Sequence, residues 1–283
     1  MRVAVFTSKS FLSGKYRNTL LRIAETHEVS VILKAGWDSS DVYKKKNRFW
    51  KKIKDLNPGV IKDIEQGFTA AALKRKKKFE DRGGGGKVSL RFMIDSCDEL
   101  SKCELIERDI IRNGPYRAEF PSDLKTFLSE RADIVVLLGF NNLVSENSLW
   151  PVKNGIISFH PADTNEYRGR PGSFFEWLNG ELKHGVTLQR LNQSIDGGEI
   201  ICQRFVEFNH RLPFLAAKAD VRKKMHKLWP EMVIEGLDKI ERGDNLGSPS
   251  PCKVSVTEDS DRWPIVRKYI VRSISVRLER LFG

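Results

Sequence analysis

The chain has 283 residues, 40% of them hydrophobic and 30% charged, with a formal net charge of +12. That length suits one large α/β domain with additions or two modest domains, and the composition is ordinary for a soluble globular protein. No apolar run approaches the ~20 residues that span a bilayer, and the opening MRVAVFTSKSF reads as a first strand rather than an export signal.

RVAVF at 2–6 is a β-branched run, residues 16–26 place Leu20, Leu21, Ile23 and Ala24 at helical spacing, and EVSVILKA at 28–35 is a second apolar run. A strand, a helix and a strand in so short a stretch predict a βαβ unit and a parallel sheet. Residues 41–80 are Lys-rich with helical spacing, and Gly83–Gly86 predict a flexible loop over 81–88. Together, 41–118 is expected as an insert in the α/β domain.

A helix is predicted over 121–132, then a central strand in DIVVLLGF at 133–140 and another in GIISFH at 155–160. A short helix follows at 173–180. GVTLQRL at 185–191 and EIICQRFVEF at 199–208 predict an antiparallel hairpin around Asp-Gly-Gly. Residues 213–242 carry one long helix or two. NLGSPSP at 245–251 reads as an unpacked linker.

The last segment interleaves Ile270, Ile274, Leu278, Leu281 and Phe282 with arginines. It predicts a basic amphipathic helix, lying on a membrane surface, on a partner, or back on the domain. The expected organisation is therefore a domain over 1–244 and a linker plus helix over 245–283. Location is expected to be cytoplasmic, with peripheral membrane contact through that helix.

Cys97, Cys103, Cys202 and Cys252 fit no zinc or redox spacing, so reduced thiols and no structural metal are expected. The positive charge favours anionic partners. It gathers at Lys44–Lys46, Lys51–Lys54, Arg75–Lys78 and the C-terminal end without a nucleic-acid motif, so solvated helix faces are expected and nucleic acid is the lesser candidate. Whether the chain forms a homo-oligomer is open.

In a parallel sheet, ligands bind beyond the carboxyl ends of the strands. His160 stands at such an end, and an imidazole there can give or take a proton near neutrality. Asp196 begins a turn that needs no chemistry by itself. The ordered combination is more telling: Ser158-Phe159-His160-Pro161, Tyr167-Arg168-Gly169, Gly185-Val186-Thr187 and Asp196-Gly197-Gly198.

This run over 155–203 resembles the core of the 10-formyltetrahydrofolate-dependent formyltransferases. The likeness extends more weakly over 135–145 and the helix bearing Leu228-Trp229-Pro230. It implies a Rossmann-like, mostly parallel α/β fold, with His160 as catalytic histidine and Asp196 as its partner carboxylate. It also implies a folate pocket from Asn142, Leu143 and Val144 with Asn192, Gln193, Ser194 and Ile195, and substrate contacts at Tyr167, Arg168 and Gly169. The donor would be 10-formyltetrahydrofolate, with no metal required.

Family members carry Asn where this chain has Ser158. A hydroxyl donates one proton from a shorter stem than an amide, and loss of one oxyanion donor can cost ~3 kcal/mol. Ser158 can act directly or through water, or Asn141 or Asn165 can fill the gap. The stretch TSKSFLSGKYRN lacks the Gly-rich phosphate loop of glycinamide ribonucleotide formyltransferases, and the C-terminal segment does not resemble the β-barrel of methionyl-tRNA formyltransferases. A small amine, on a nucleotide-linked amino sugar, is the expected acceptor. The alternatives are methionyl-tRNA or another amine, or a non-catalytic folate-, nucleotide- or RNA-binding protein of this fold.

Overall fold

A computed structural model describes residues 1–37, 88–113, 117–140, 142–169, 172–252, 254–255 and 263–282. The expected Lys-rich helix of 41–80 and the loop of 81–88 (all but Val88) lie outside the described residues.

Strand β1 (Arg2–Thr7) is buried almost throughout, as its β-branched run requires of a central strand. After the two-residue β2 (Phe11–Leu12), α1 (Gly14–Thr26) carries the chain back over the sheet to β3 (Glu28–Trp37), which pairs parallel with β1. β4 (Val88–Ser89) and α2 (Leu90–Ser96) lead to β5 (Glu104–Asn113) and β6 (Arg117–Glu119). Next come α3 (Ser122–Arg131), β7 (Ile134–Leu137), β8 (Leu143–Val144), β9 (Ile156–His160) and β10 (Tyr167–Arg168). Then follow α4 (Phe174–Asn179), β11 (Lys183–Arg190), β12 (Glu199–Glu207), α5 (Phe214–Arg242), β13 (Val254–Ser255) and α6 (Trp263–Phe282).

Among the described residues the main sheet runs β12-β11-β9-β7-β1-β3-β5-β6-β8. Its centre is parallel, and the β11–β12 hairpin adds antiparallel strands beside β9. Each face carries its own apolar layer. One gathers Leu20, Ile32, Val136, Ile157, Leu188 and Met225; the other gathers Phe6, Leu33, Phe120, Leu124 and Ile156. The fold is thus α/β around a mostly parallel sheet, and it sets the ends of β1, β7 and β9 side by side.

Two boundaries differ from the sequence reading, and a third is settled between its two alternatives. The segment 41–118 is not all insert: β5 pairs along seven positions with β3 and belongs to the main sheet. Its sequence, ELIERDIIRN, alternates charge with apolar residues because it lies nearer the edge of the sheet. Residues 213–242 form one helix that runs through Pro230. The stretch 245–251 is packed rather than free. Gly247 bridges Ile200 through paired backbone hydrogen bonds, Leu246 joins the core, and the Ser250 N–H donates to Asn165.

Helix α6 folds back on the domain. Tyr269 lies against Phe174 and Trp177, Lys268 bonds the Asn179 side chain, and Val276 is buried. Ile270, Val271, Ile274 and Leu278 face outward.

Candidate active site

Side chains alternate across β9, so Ser158 and His160 share one face while Phe159 takes the other. Phe159 stacks on Trp229 of α5 at 4.5 Å and 5°, which fixes the strand's rotation. Ser158 is half-buried, between Leu137 of β7 and Gln189 of β11 in the register. His160 closes the strand opposite Thr187.

The loop after β11 brings Asp196 to that strand end. Its φ of 51° is left-handed, a conformation that a short polar side chain tolerates. His160 Nδ1 donates to Asp196 Oδ1 at 3.0 Å, with both side chains largely buried. Asp196 Oδ2 accepts the Gly169 N–H at 2.9 Å, and Oδ1 also faces the Gln189 amide at 3.4 Å. Burial pushes the Asp196 carboxyl up, but His160 and these hydrogen bonds outweigh it and hold the group below the usual carboxylate range. The other ring nitrogen, His160 Nε2, is buried without a hydrogen-bond partner among the described residues. A fixed imidazole with its far nitrogen uncommitted is equipped to exchange one hydrogen with a ligand.

Gln189 has no place in the sequence motif, yet it is fully buried and bonds both Asp196 and the Gly198 N–H. A lone amide in a strand reads as a solvent-facing residue; it is buried here because β11 is flanked on both sides. Gly198 itself admits no side chain, since a Cβ would stand 2.0 Å from the Arg190 carbonyl oxygen. Around Thr187, a further network ties Ala162, Thr164, Asp163 and Gln203.

A second buried pair lies behind this centre. His184 Nε2 sits 2.8 Å from Ser173 Oγ and 3.4 Å from Glu176 Oε1. Burial raises the Glu176 carboxyl to about 7 and lowers His184 to about 4, and both groups feel the charge of His160.

The expected folate segments adjoin. Leu143 and Val144 form β8, with Val144 in the core and Asn142 half-buried before it. The loop 192–196 is shaped by Asn192, whose carbonyl accepts the Ser194 N–H while its amide bonds Gly197. The Gln193 amide bonds the Glu146 carboxylate, bringing this loop to the segment after β8. Ile195 is half-buried.

The three residues expected to contact substrate all have partners within the protein. Tyr167 is buried, and its hydroxyl donates to Glu181 while accepting from Asn179. Arg168 bonds the carbonyls of Thr164 and Ser250. Both side chains are committed to the protein, and Gly169 serves Asp196. The Asn165 side-chain carbonyl accepts from the Ser250 N–H; Asn141 lies outside the described residues.

Cations gather at the neighbouring strand end instead. Lys15, in the first turn of α1, places its ammonium 3.1 Å from His226 Nε2 and 4.5 Å over the Tyr16 ring. Burial, with Arg222 and Lys9 nearby, brings Lys15 down to about 7, and burial, with Lys15 and Arg222 nearby, brings His226 down to about 3. Lys9 and Tyr16 both press against Gly139, just past β7. Positive charge at a helix N-terminus beside the crevice makes a surface suited to an anion.

Residues 107–233, which include His160, Asp196 and α5 as far as Val233, match the model of the formyl transferase family. A methionyl-tRNA formyltransferase from Thermotoga neapolitana is 33% identical over 116 residues, 41% of this chain and 36% of that protein. Its counterpart from Ehrlichia canis is 28% identical over 140 residues, 50% of this chain and 44% of that one. The chain thus spans less than half the length of these relatives. An N-formyltransferase from Helicobacter canadensis, solved with folinic acid and dTDP-3-aminofucose, aligns at TM-score 0.49 and 13% identity, covering 96% of this chain and 80% of that one. The histidine–carboxylate centre thus lies inside the segment that is similar to the formyl transferase family.

Proposed function

We propose that the protein is an N-formyltransferase that moves a formyl group from 10-formyltetrahydrofolate to the amine of a nucleotide-linked amino sugar. The observation that carries this reading is the buried, uncommitted His160 Nε2, held by Asp196 at 3.0 Å through the opposite ring nitrogen. Folate, when bound, supplies the formyl carbon; residues 142–144 and 192–196 would hold it. An apolar slot edged by backbone donors and acceptors suits a flat pterin.

As an amine attacks, negative charge grows on the formyl oxygen and a proton must leave the nitrogen. His160, as imidazolium, donates from Nε2 to that oxygen. Asp196 accepts from Nδ1, fixes the ring and balances its charge. The proton lost by the amine would pass by way of the same carboxylate and water to the folate nitrogen as its bond to the formyl carbon breaks, so that tetrahydrofolate leaves neutral. Ser158, on the same face of β9, offers a second donor. No step calls for a metal ion.

The acceptor reading rests on Lys9, Lys15 and Arg222, whose charges suit a diphosphate beside the crevice. The relatives named above favour a second reading, formylation of methionyl-tRNA. A cytoplasmic location, where folates and nucleotide sugars meet, accompanies either reading.

The test is tetrahydrofolate release from 10-formyltetrahydrofolate with a panel of nucleotide-linked amino sugars and with methionyl-tRNA. Turnover with an amino sugar that is lost in His160→Ala supports the proposal. Turnover with the tRNA alone selects the second reading, and no turnover with any amine rejects both.

A further inference from the structure

A different histidine faces carboxylates at the opposite end of the sheet. His27 follows the last residue of α1 and precedes β3, and its backbone N–H caps α1 by donating to Ile23. Its side chain is 4% exposed. Nδ1 lies 3.0 Å from Thr26 Oγ1, whose own hydroxyl donates to the Arg22 carbonyl at 3.1 Å. A hydroxyl has one proton. Thr26 therefore accepts from His27 Nδ1–H, and in the neutral ring the lone pair is left on Nε2.

That nitrogen is buried without a hydrogen-bond partner among the described residues. Asp238 Oδ1 stands 3.6 Å from it and Glu241 Oε2 stands 3.8 Å from it. An imidazolium would draw these carboxylates to about 2.7–2.9 Å. Three acceptors instead face one another, one ligand atom each, all within 4.8 Å. Asp238 and Glu241 are three apart on the last turns of α5 and so share a face. The Met1 ammonium occupies the other Glu241 oxygen, Oε1, at 3.0 Å. The helix C-termini of α1 and α5 both abut the cluster, and the dipole of each favours a cation there.

We propose that His27 Nε2, Asp238 and Glu241 bind one transition-metal dication of the zinc class, with water completing the shell. Zinc bound at about 2.0–2.2 Å by nitrogen and oxygen places neighbouring ligands about 3.4 Å apart, a few tenths of an ångström below the two distances from His27 Nε2, and the part-exposed carboxylates can turn to close the remainder. One imidazole with two carboxylates suits zinc or its neighbours better than magnesium or calcium, which take oxygen sets. Thr26 fixes the tautomer as a hydrogen-bonded partner behind a metal-bound histidine does. The site staples the end of α1 to the end of α5 and lies at the amino ends of β1 and β3, away from His160. A search for cysteine spacings overlooks it because no thiol takes part.

Chelator-stripped full-length protein, titrated with zinc by calorimetry, should bind one ion per chain. Its melting temperature should rise by roughly 5–10 °C once free zinc exceeds Kd a hundredfold. Cobalt should give weak visible bands without a thiolate charge-transfer band. His27→Gln and Asp238→Asn should each weaken binding at least tenfold with unchanged far-UV circular dichroism; Asp238 is 46% exposed, so its variant keeps the test readable if the other fails to fold. Absence of stoichiometric binding, binding unaltered in a folded variant, a thiolate band, or equal stabilisation by magnesium would overturn the proposal.

Discussion

Two buried histidines face carboxylates at opposite ends of one sheet, and the contrast between them is instructive. At the carboxyl ends of the strands, His160 gives Nδ1 to Asp196 at 3.0 Å and keeps Nε2 uncommitted among the described residues. At the amino ends, His27 gives Nδ1 to a threonine and turns Nε2 toward two carboxylates beyond hydrogen-bond reach. The first arrangement orients a ring that can exchange a proton. The second presents a lone pair among anions and suits a cation. The chemistry is set by which nitrogen the partner holds and by what the other one sees.

Exchanging the two residues in turn breaks the comparison most sharply. His160→Gln should lower kcat by roughly 10²–10⁴-fold, while His27→Gln leaves it within threefold, measured as tetrahydrofolate release. Loss of activity in both would remove the division of labour between the two ends. Ser158→Ala should reduce kcat by roughly tenfold to a hundredfold if the hydroxyl serves the oxyanion; an unchanged rate would leave His160 as the donor at that face. Lys15→Met should raise KM for an anionic acceptor by roughly tenfold with little change in kcat, the pattern of lost uniform binding.

The smallest effect is on stability. Glu176, raised by burial from its ordinary 4.5 to about 7, keeps its proton in the fold where the unfolded chain releases it. Its contribution is full below about 4.5 and is lost as pH rises through about 7. Glu176→Gln should therefore flatten the fall in melting temperature across that window. His184, lowered to about 4, has the opposite sign, gaining as pH rises from about 4 to 6.5, and both proteins contain it. A steeper fall in the variant would show that Glu176 is not the group that titrates.

Much of the fold was legible because β1, β3, β7 and β9 are buried on both faces and spell continuous apolar runs. β5 was not, since ELIERDIIRN alternates charge and was absorbed into the supposed insert. At the site, the structure brings together His160 and Asp196, which the motif had paired. The geometry around them did not follow from the motif. Tyr167 and Arg168 look like exposed recognition residues in a turn, yet the chain beyond residue 245 and Glu181 use them up. Gln189 looks like surface and is core. The His27 cluster has no local pattern, because its members come from opposite ends of the chain and meet only when α5 packs on α1.

The stretch after residue 245 has a consequence of its own. Val254 and Ser255 extend β10, Ser250 receives Arg168, and the next residue, Gly169, holds Asp196. The far side of this latch, Ser250 to Ser255, lies beyond the segment 107–233 that the family model matches. The border of homology and the border of cooperation are therefore different places on this chain. Removing only the residues after 245 would spare His160 and Asp196 and still release the loop that keeps one facing the other.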